Sequence, residues 1–529
     1  MDFLALLLEH YHRTSKDLEA RCALGSFSSL CLPTGYKGFE GVVQRLKKAI
    51  ENKEKAVIYG DYDVDGLTST AIRKRTLDGF GLNAGFFIPS RYHEGYGLNS
   101  KRVEQFREKG YQLIITVDNG ISAKESIALA RSFNRDVVVI DHHEIPPQLP
   151  DTPYIFTQLT DRFVPYNCSA ASLALFVSYG LTGKFDPYFV TLAGRAVFSD
   201  VRPLIGNNLI LAKQRKKRIN TYQYPNLRAL LGPKKSIGYD DVVFTLVPTL
   251  NSPGRASKDS RATNNACRFL LENLVPPTPK RKKLARELRE LNQQRKQRVQ
   301  DAKFKDDYKR SSEHGAVYVV DGLSGLTGLY ANKIRRKEKK AVGVFAQDEN
   351  DPEVLIGSFR CLSPFEIDPM LKKEEKKRIN GGGHLKAIGR SIKKKDYFQI
   401  ATDFVSLRER QALNKKNQKD EEAISIALED VNRDNYHLLE KFEPFGEGYP
   451  YPSFSVDVER EWGKLSTSGK SMIFSVLGLQ GKAIFTGDLG CLNEKRYTYY
   501  TLKGKLVSSC FHGVYSCCLR ADEIIPHLD

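Results

Sequence analysis

A chain of 529 residues that is 41% hydrophobic and 10% aromatic holds more apolar material than one core can bury, so three or four domains are expected. Its 82 Lys and Arg against 63 Asp and Glu leave a formal charge of +19, which favours a polyanionic partner such as nucleic acid. No run approaches the roughly 18 apolar residues that span a bilayer, and nine scattered cysteines without a C-x-x-C pair exclude a zinc knuckle or a disulfide framework, so a cytoplasmic protein with reduced thiols and no membrane association is expected.

In chain order, MDFLALLLEHYHR predicts a buried amphipathic helix; Asp2 stands where a signal peptide would carry basic residues. Three apolar runs follow, AVIYG at 56–60, QLIITVD at 112–118 and DVVVID at 136–141. Their cores are continuously apolar, as in strands of a parallel sheet buried on both faces. Each runs into an acidic residue, so Asp61, Asp118 and Asp141 should converge at the carboxyl ends of the strands, where open α/β sheets bind ligands. Residues 1–274 are expected to hold the N-terminal segment and this doubly wound domain. VPPTPKRKK breaks the pattern, and Leu284, Leu288 and Leu291 among basic residues predict a basic connecting helix over 275–312. GAVYVVDG and KAVGVFAQ open a second, smaller α/β domain over 313–412, with GGGH at 381–384 before the strand-like AIGRSI. Lys415 to Asp420 form a polar linker. Residues 425–529 then read as all-β, five short strands separated by Gly, Ser or Asn turns, which suggests a small Greek-key barrel such as an OB-fold, a common binder of single strands.

The motif YGDYDVDGLTSTA places Asp61, Asp63 and Asp65 in one strand-to-helix turn. Carboxylates so close repel one another unless a cation neutralises them. A calcium loop is excluded, since its twelfth position, counted from Asp61, is Ile72 where a bidentate Glu is needed. TVDNGIS adds Asp118, VIDHHEIP adds Asp141, His142 and His143, and VFSDVRPL adds Asp200. Carboxylates mixed with imidazoles suit Mn²⁺ better than a thiolate zinc site does.

The ordered motifs D-x-D-x-D-G, V-D-N-G, D-H-H and x-x-D-V-x-P-L resemble the DHH phosphoesterases, and in detail the RecJ-type single-strand-specific exonucleases. The likeness continues through IPSRYHEGYGLN, LVPTLNSPGRASKDSRA, GLTGLYANKI, GSFR, GGGHLKAIG and PFGEGYPYPSF, covering about residue 36 to the C-terminus. It implies a DHH parallel-sheet domain, a connecting helix, a DHH-associated α/β domain and a C-terminal OB-fold. It further implies that Asp63, Asp65, Asp118, His142 and Asp200 ligate two divalent cations, Mn²⁺ with Mg²⁺ as the alternative, Asp118 bridging and Asp61 adding a ligand. Asp141 would orient a histidine, His143 would face the phosphate, and Arg91, Arg255, Ser358, Arg360 and His384 would hold substrate phosphate. The implied activity is 5′-to-3′ hydrolysis of single-stranded DNA in repair and recombination, with a single-strand-binding protein or a helicase as candidate partners.

Several positions depart from the family pattern: Leu323 or Ser324 where a His is usual, Ser199 for Ala, SPGR for A-x-G-R, and Ile388 for a small residue. All leave the metal motifs intact. A nanoRNase or nucleotide phosphodiesterase of the same superfamily would resemble only the two α/β domains. A non-catalytic binding protein of this fold would have lost metal-motif residues that are all present here.

Overall fold

The computed structural model describes residues 2–528 except 35, 158–167, 223, 233–236, 273–277, 362–377, 385–386, 415–422, 467–468, 470, 479–480, 488, 490–496 and 512–513. The expected linker at Lys415 to Asp420 lies outside the described residues. The chain divides into two units, one of Cys31–Arg202 with Gln214–Gln418, the other of Met1–Leu30 with Pro203–Lys213 and Lys419–Asp529.

The larger unit begins with a parallel sheet of β1 (Ala56–Tyr59), β2 (Gly85–Phe87), β3 (Leu113–Val117), β4 (Asp136–Ile140) and β5 (Ile155–Phe156), in the order β2-β1-β3-β4-β5. Alternation along the strands feeds two cores. Ile58, Ile115 and Val138 pack with Phe39 and Val43 of α1 (Lys37–Glu51) on one face; Val57, Ile114 and Val137 pack with Val103 and Ile127 on the other. Burial on both faces is why these runs carry no polar alternation. The chain leaves β1 to one side for β2 and returns to the other side for β3, so the sheet's switch point lies at the carboxyl ends of β1 and β3.

A second sheet in the same unit has the order β10-β11-β9-β8-β7-β6, from β6 (Lys303–Ser311), β7 (Gly315–Asp321), β8 (Ala341–Gln347), β9 (Val354–Arg360), β10 (Arg378–His384) and β11 (Ala387–Lys393). Only β7 and β8 pair in parallel. The connecting helix is Pro279–Gln300, shorter than the expected 275–312. Residues 303–311 form edge strand β6 instead, because Phe304 packs edge-on against Tyr318 and Tyr308 against Tyr397.

In the smaller unit, seven strands run in the order β12-β13-β17-β18-β16-β15-β14: β12 (Ile424–Ser425), β13 (Phe454–Glu459), β14 (Gly463–Leu465), β15 (Met472–Ser475), β16 (Lys482–Phe485), β17 (Tyr499–Phe511) and β18 (Val514–His527). Sequence periodicity marked five of these; β12 and β14, of two and three residues, are too short to show a period. The N-terminal segment, expected with residues up to 274, belongs here instead. Phe3 and Leu7 share a core with Phe454, Val456 and Leu502, Phe3 stacks on Phe454, and Tyr11 stacks on Tyr449 with ring centroids 4.3 Å apart. Among the described residues no helix is long and apolar enough to cross a membrane.

Candidate metal centre

Beyond β1 the chain turns sharply. A Cβ on Gly60 would fall 2.1 Å from Thr70 Oγ1, and one on Gly66 would fall 2.5 Å from the Asp61 carbonyl oxygen, so only glycine permits the fold-back. Asp63 caps α2 (Val64–Gly79), its Oδ1 accepting the amides of Asp65 (2.9 Å) and Gly66 (3.1 Å). Asp65, in the first turn of α2, accepts the amides of Ala170 and Ala171, each at 2.8 Å, at the start of α3 (Ala170–Thr182). Helix α4 (Val247–Ala256) backs this turn, since Asn251 Oδ1 accepts the Val64 amide at 2.9 Å.

At the end of β3, Asp118 adopts a left-handed φ of 63°. The next side chain, buried Asn119, donates to the carbonyls of Tyr59 (3.3 Å), Gly60 (3.2 Å) and Val117 (2.9 Å), tying the ends of β1 and β3 together. Beyond β4, His142 Nε2 lies 2.9 Å from Asp118 Oδ1 and 3.6 Å from Asp65 Oδ2, and its Nδ1 lies 3.5 Å from Asp200 Oδ2. Asp200 is the C-cap of the helix Pro187–Ser199. Asp141 is held by the protein: Oδ1 accepts the amide of His142 (2.8 Å) and Nδ1–H of His143 (2.8 Å), and Oδ2 accepts the Ile121 amide (3.0 Å).

Among the described residues three sets of potential ligand atoms lie within 4.8 Å of one another: Asp65, His142 and Asp200; Asp61, Asp63 and Asp118; and Asp118, Asp141, His142 and His143. Burial, then the charge of Asp63, pushes Asp61 up to about 8. Burial and neighbouring carboxylates hold Asp65 and Asp118 well above the usual carboxylate range. Burial pushes His142 down to about 3, leaving it a neutral imidazole able to ligate. His143 goes the other way: burial opposes its charge, but the hydrogen bond to Asp141 prevails and raises it to about 9. Asp61 Oδ1 is buried without a hydrogen-bond partner. Buried carboxylates that raise one another's pKa, one of them with an unpartnered oxygen, fit divalent cations.

Facing this cluster is an array of cations. Arg91 stacks on the Tyr62 ring at 4.4 Å and donates to the Gly325 carbonyl at 3.4 Å. Arg360 donates to Ser358 Oγ at 2.7 Å. Arg255 is held down to about 10 by burial and by the charge of Arg91, with Asp63 opposing and Arg360 adding to the repulsion. These arginines repel one another beside Asp63, an arrangement an anionic ligand would relieve. His384 ends β10 opposite Ala387, but its side chain lies outside the described residues. Ile388 points into the core beneath β9, so this departure from the family pattern leaves the groove untouched.

The sequence reading missed Asn119 and Tyr96. Tyr96 donates to the Asp118 carbonyl at 3.0 Å and lies equally close to His143 Nδ1. Asn119 had a signal, an Asn-Gly pair directly after a strand-end Asp; Tyr96 had only its place in a Gly-flanked loop.

A parallel α/β domain whose strand ends gather carboxylates and a D-H-H turn at the switch point is a DHH-type domain, and residues 55–185 match the DHH family, N-terminal domain. Over most of its length the chain is similar to proteins named single-stranded-DNA-specific exonuclease RecJ. That of Haemophilus influenzae is 26% identical, with 95% of this chain and 93% of the relative covered; that of Salmonella typhimurium is 29% identical, covering 92% and 90%. The chain spans about half of the Bacillus subtilis relative, 55% of its length at 28% identity. The fold is that of RecJ from Thermus thermophilus, crystallised with Mn²⁺, at TM-score 0.76 and 23% identity over 99% of this chain and 76% of that one. The chain carries a DHH-family domain at residues 55–185 and is similar over most of its length to RecJ proteins.

Proposed function

We propose that the chain is a divalent-cation-dependent exonuclease that degrades single-stranded DNA from the 5′ end to mononucleotides in repair and recombination. One observation carries this reading: a buried, mutually repelling carboxylate and imidazole cluster lies beside Arg91 and Arg255, whose charges repel one another, in a chain whose relatives are named for single-strand-specific DNA hydrolysis.

Asp63, Asp65, Asp118, His142 and Asp200 would hold two cations, Mn²⁺ by preference over Mg²⁺, with Asp61 as a further ligand and Asp118 between them. Bound there, the cations supply Lewis-acid activation of water and neutralise charge on the phosphate. His143, kept protonated by Asp141, faces the phosphate as a hydrogen-bond donor. Asp141, accepting the His142 amide and the His143 ring N–H, positions the two histidines. Arg91, Arg255, Ser358, Arg360 and His384 grip phosphates of the strand, and the C-terminal β unit, read as an OB-fold, holds the strand further along. The enzyme works in the cytoplasm, with a single-strand-binding protein or a helicase as candidate partners.

The test is degradation of end-labelled single-stranded and duplex DNA, and of RNA, with Mn²⁺ or with chelator. Mononucleotides released from the 5′ end of single-stranded DNA, and only with metal, are expected. Metal-independent hydrolysis or cleavage of duplex at an equal rate would overturn the reading.

A further inference from the structure

The departure at Leu323 and Ser324 lies in a contact network that the chemistry above does not use. Ser324 is 4% exposed; its amide donates to Glu349 Oε1 at 2.9 Å and its hydroxyl to Glu349 Oε2. The next residue on that turn, Asn350, donates through Nδ2 to the carbonyl of Tyr92, which belongs to the parallel-sheet domain. Tyr92 is 5% exposed, and its hydroxyl donates to the Arg255 carbonyl. A Cβ on Gly325 would fall 2.4 Å from the Tyr92 hydroxyl and 2.8 Å from the Arg255 carbonyl oxygen, so the 323–326 segment lies flush on both. The turn is preset, since Asp348 Oδ1 accepts the amides of Asn350 (2.7 Å) and Asp351 (3.0 Å).

Adjacent side chains of one turn thus grip both α/β domains of the larger unit. Glu349 holds the loop before the helix Thr327–Glu338, and Asn350 holds the residue that follows Arg91. Two of the groove arginines, Arg91 and Arg255, flank Tyr92 in space, whereas Ser358 and Arg360 stand on β9, the strand that the turn leads into. We propose that the Asp348–Asn350 turn is an interdomain clasp that sets the spacing between the two halves of the anion groove, making Glu349 and Asn350 positioning residues for phosphate grip. This rests on the arginines being that grip. A groove held at fixed width fits a phosphate without having to be closed by it, so the clasp acts on substrate affinity rather than on the chemical step.

The experiment has an arm independent of activity. Hydrogen exchange in metal-loaded full-length protein should rise in segments 88–98 and 320–330 when Asn350→Ala or Glu349→Gln is introduced; unchanged exchange in both variants overturns the clasp. On a 5′-phosphorylated oligonucleotide, Asn350→Ala should raise KM about three- to tenfold, the effect of one lost hydrogen bond, with kcat within about twofold. In an Arg360→Ala background the same substitution should change KM little; full additivity, or a fall in kcat alone, overturns the proposal. Wild-type protein inert on single-stranded DNA would instead remove the exonuclease reading, and the exchange arm would still decide the clasp.

Discussion

Asp118 pairs a candidate ligand carboxylate with a left-handed backbone at φ 63°, a conformation costing a non-glycine residue about 1 kcal/mol or more. The Asp118→Ala variant should lose hydrolysis by at least about a thousandfold while its circular dichroism stays that of wild type; wild-type rates would remove Asp118 from the site. The buried carboxylates also set a pH dependence for protein kept in chelator. Asp61, at about 8 when folded, sits above its unfolded value near 3.9, so the folded state keeps a proton that the unfolded state has lost. Its contribution is therefore full below pH 4 and declines as pH rises toward 8. Metal-free protein should melt higher at pH 5.5 than at pH 8, and added Mn²⁺ should raise Tm more at pH 8; the reverse order would contradict the carboxylate cluster. Arg360, bonded to Ser358 Oγ, is expected to read the strand's end. Arg360→Ala should reduce the preference for 5′-phosphate over 5′-hydroxyl ends about tenfold to a hundredfold, the worth of a charge-assisted bidentate contact, as the ratio of degradation rates would show. Asp61, Asp63, Asp65, Asp118 and His142 were marked by a dense acidic turn or the end of an apolar strand, whereas Asp200 closes a helix and was marked only by the resemblance of VFSDVRPL to the family motif. Tyr96 was not, because its role comes from a hydrogen bond to a carbonyl distant in sequence.

At the scale of elements, the ends of β1 and β3 depend on one side chain. Replacing Asn119 by Ala leaves three buried carbonyls without that donor, each loss costing about 1 kcal/mol, so the protein should be destabilised by about 1–3 kcal/mol in urea titration and its Mn²⁺ affinity should fall. Unchanged metal affinity would show that the strand ends hold their spacing without it. Three of the five parallel strands, β1, β3 and β4, were legible within a residue or two, since burial on both faces writes a continuous apolar run; β2 and β5, of three and two residues, are too short to show one. Strand β6 was not: KFKDDYKRS is mostly charged, and its pairing rests on two aromatic contacts made at long range. The placement of the helix Phe3–His10 was hidden likewise, because an amphipathic stripe shows that a helix is buried without showing against what.

On the scale of the whole molecule, the smaller unit is assembled from stretches at three places in the chain, Met1–Leu30, Pro203–Lys213 and Lys419–Asp529. A protein truncated after residue 418 should therefore leave Phe3 and Leu7 without the core they share with Phe454 and Leu502. Limited proteolysis should cut within the first 30 residues of that truncation and spare them in the full chain; equal resistance would mean that the N-terminal helix is held by something else. The same arrangement imposes an order in time. During synthesis at about 5–20 residues per second, the helix Phe3–His10 emerges and then waits roughly 440 residues, about 20–90 seconds, for the strand at Phe454–Glu459 whose core it joins. The parallel-sheet domain can close meanwhile, but the opening segment stays exposed at the ribosome, a period in which a holdase chaperone would find it and in which slowed translation would be most damaging.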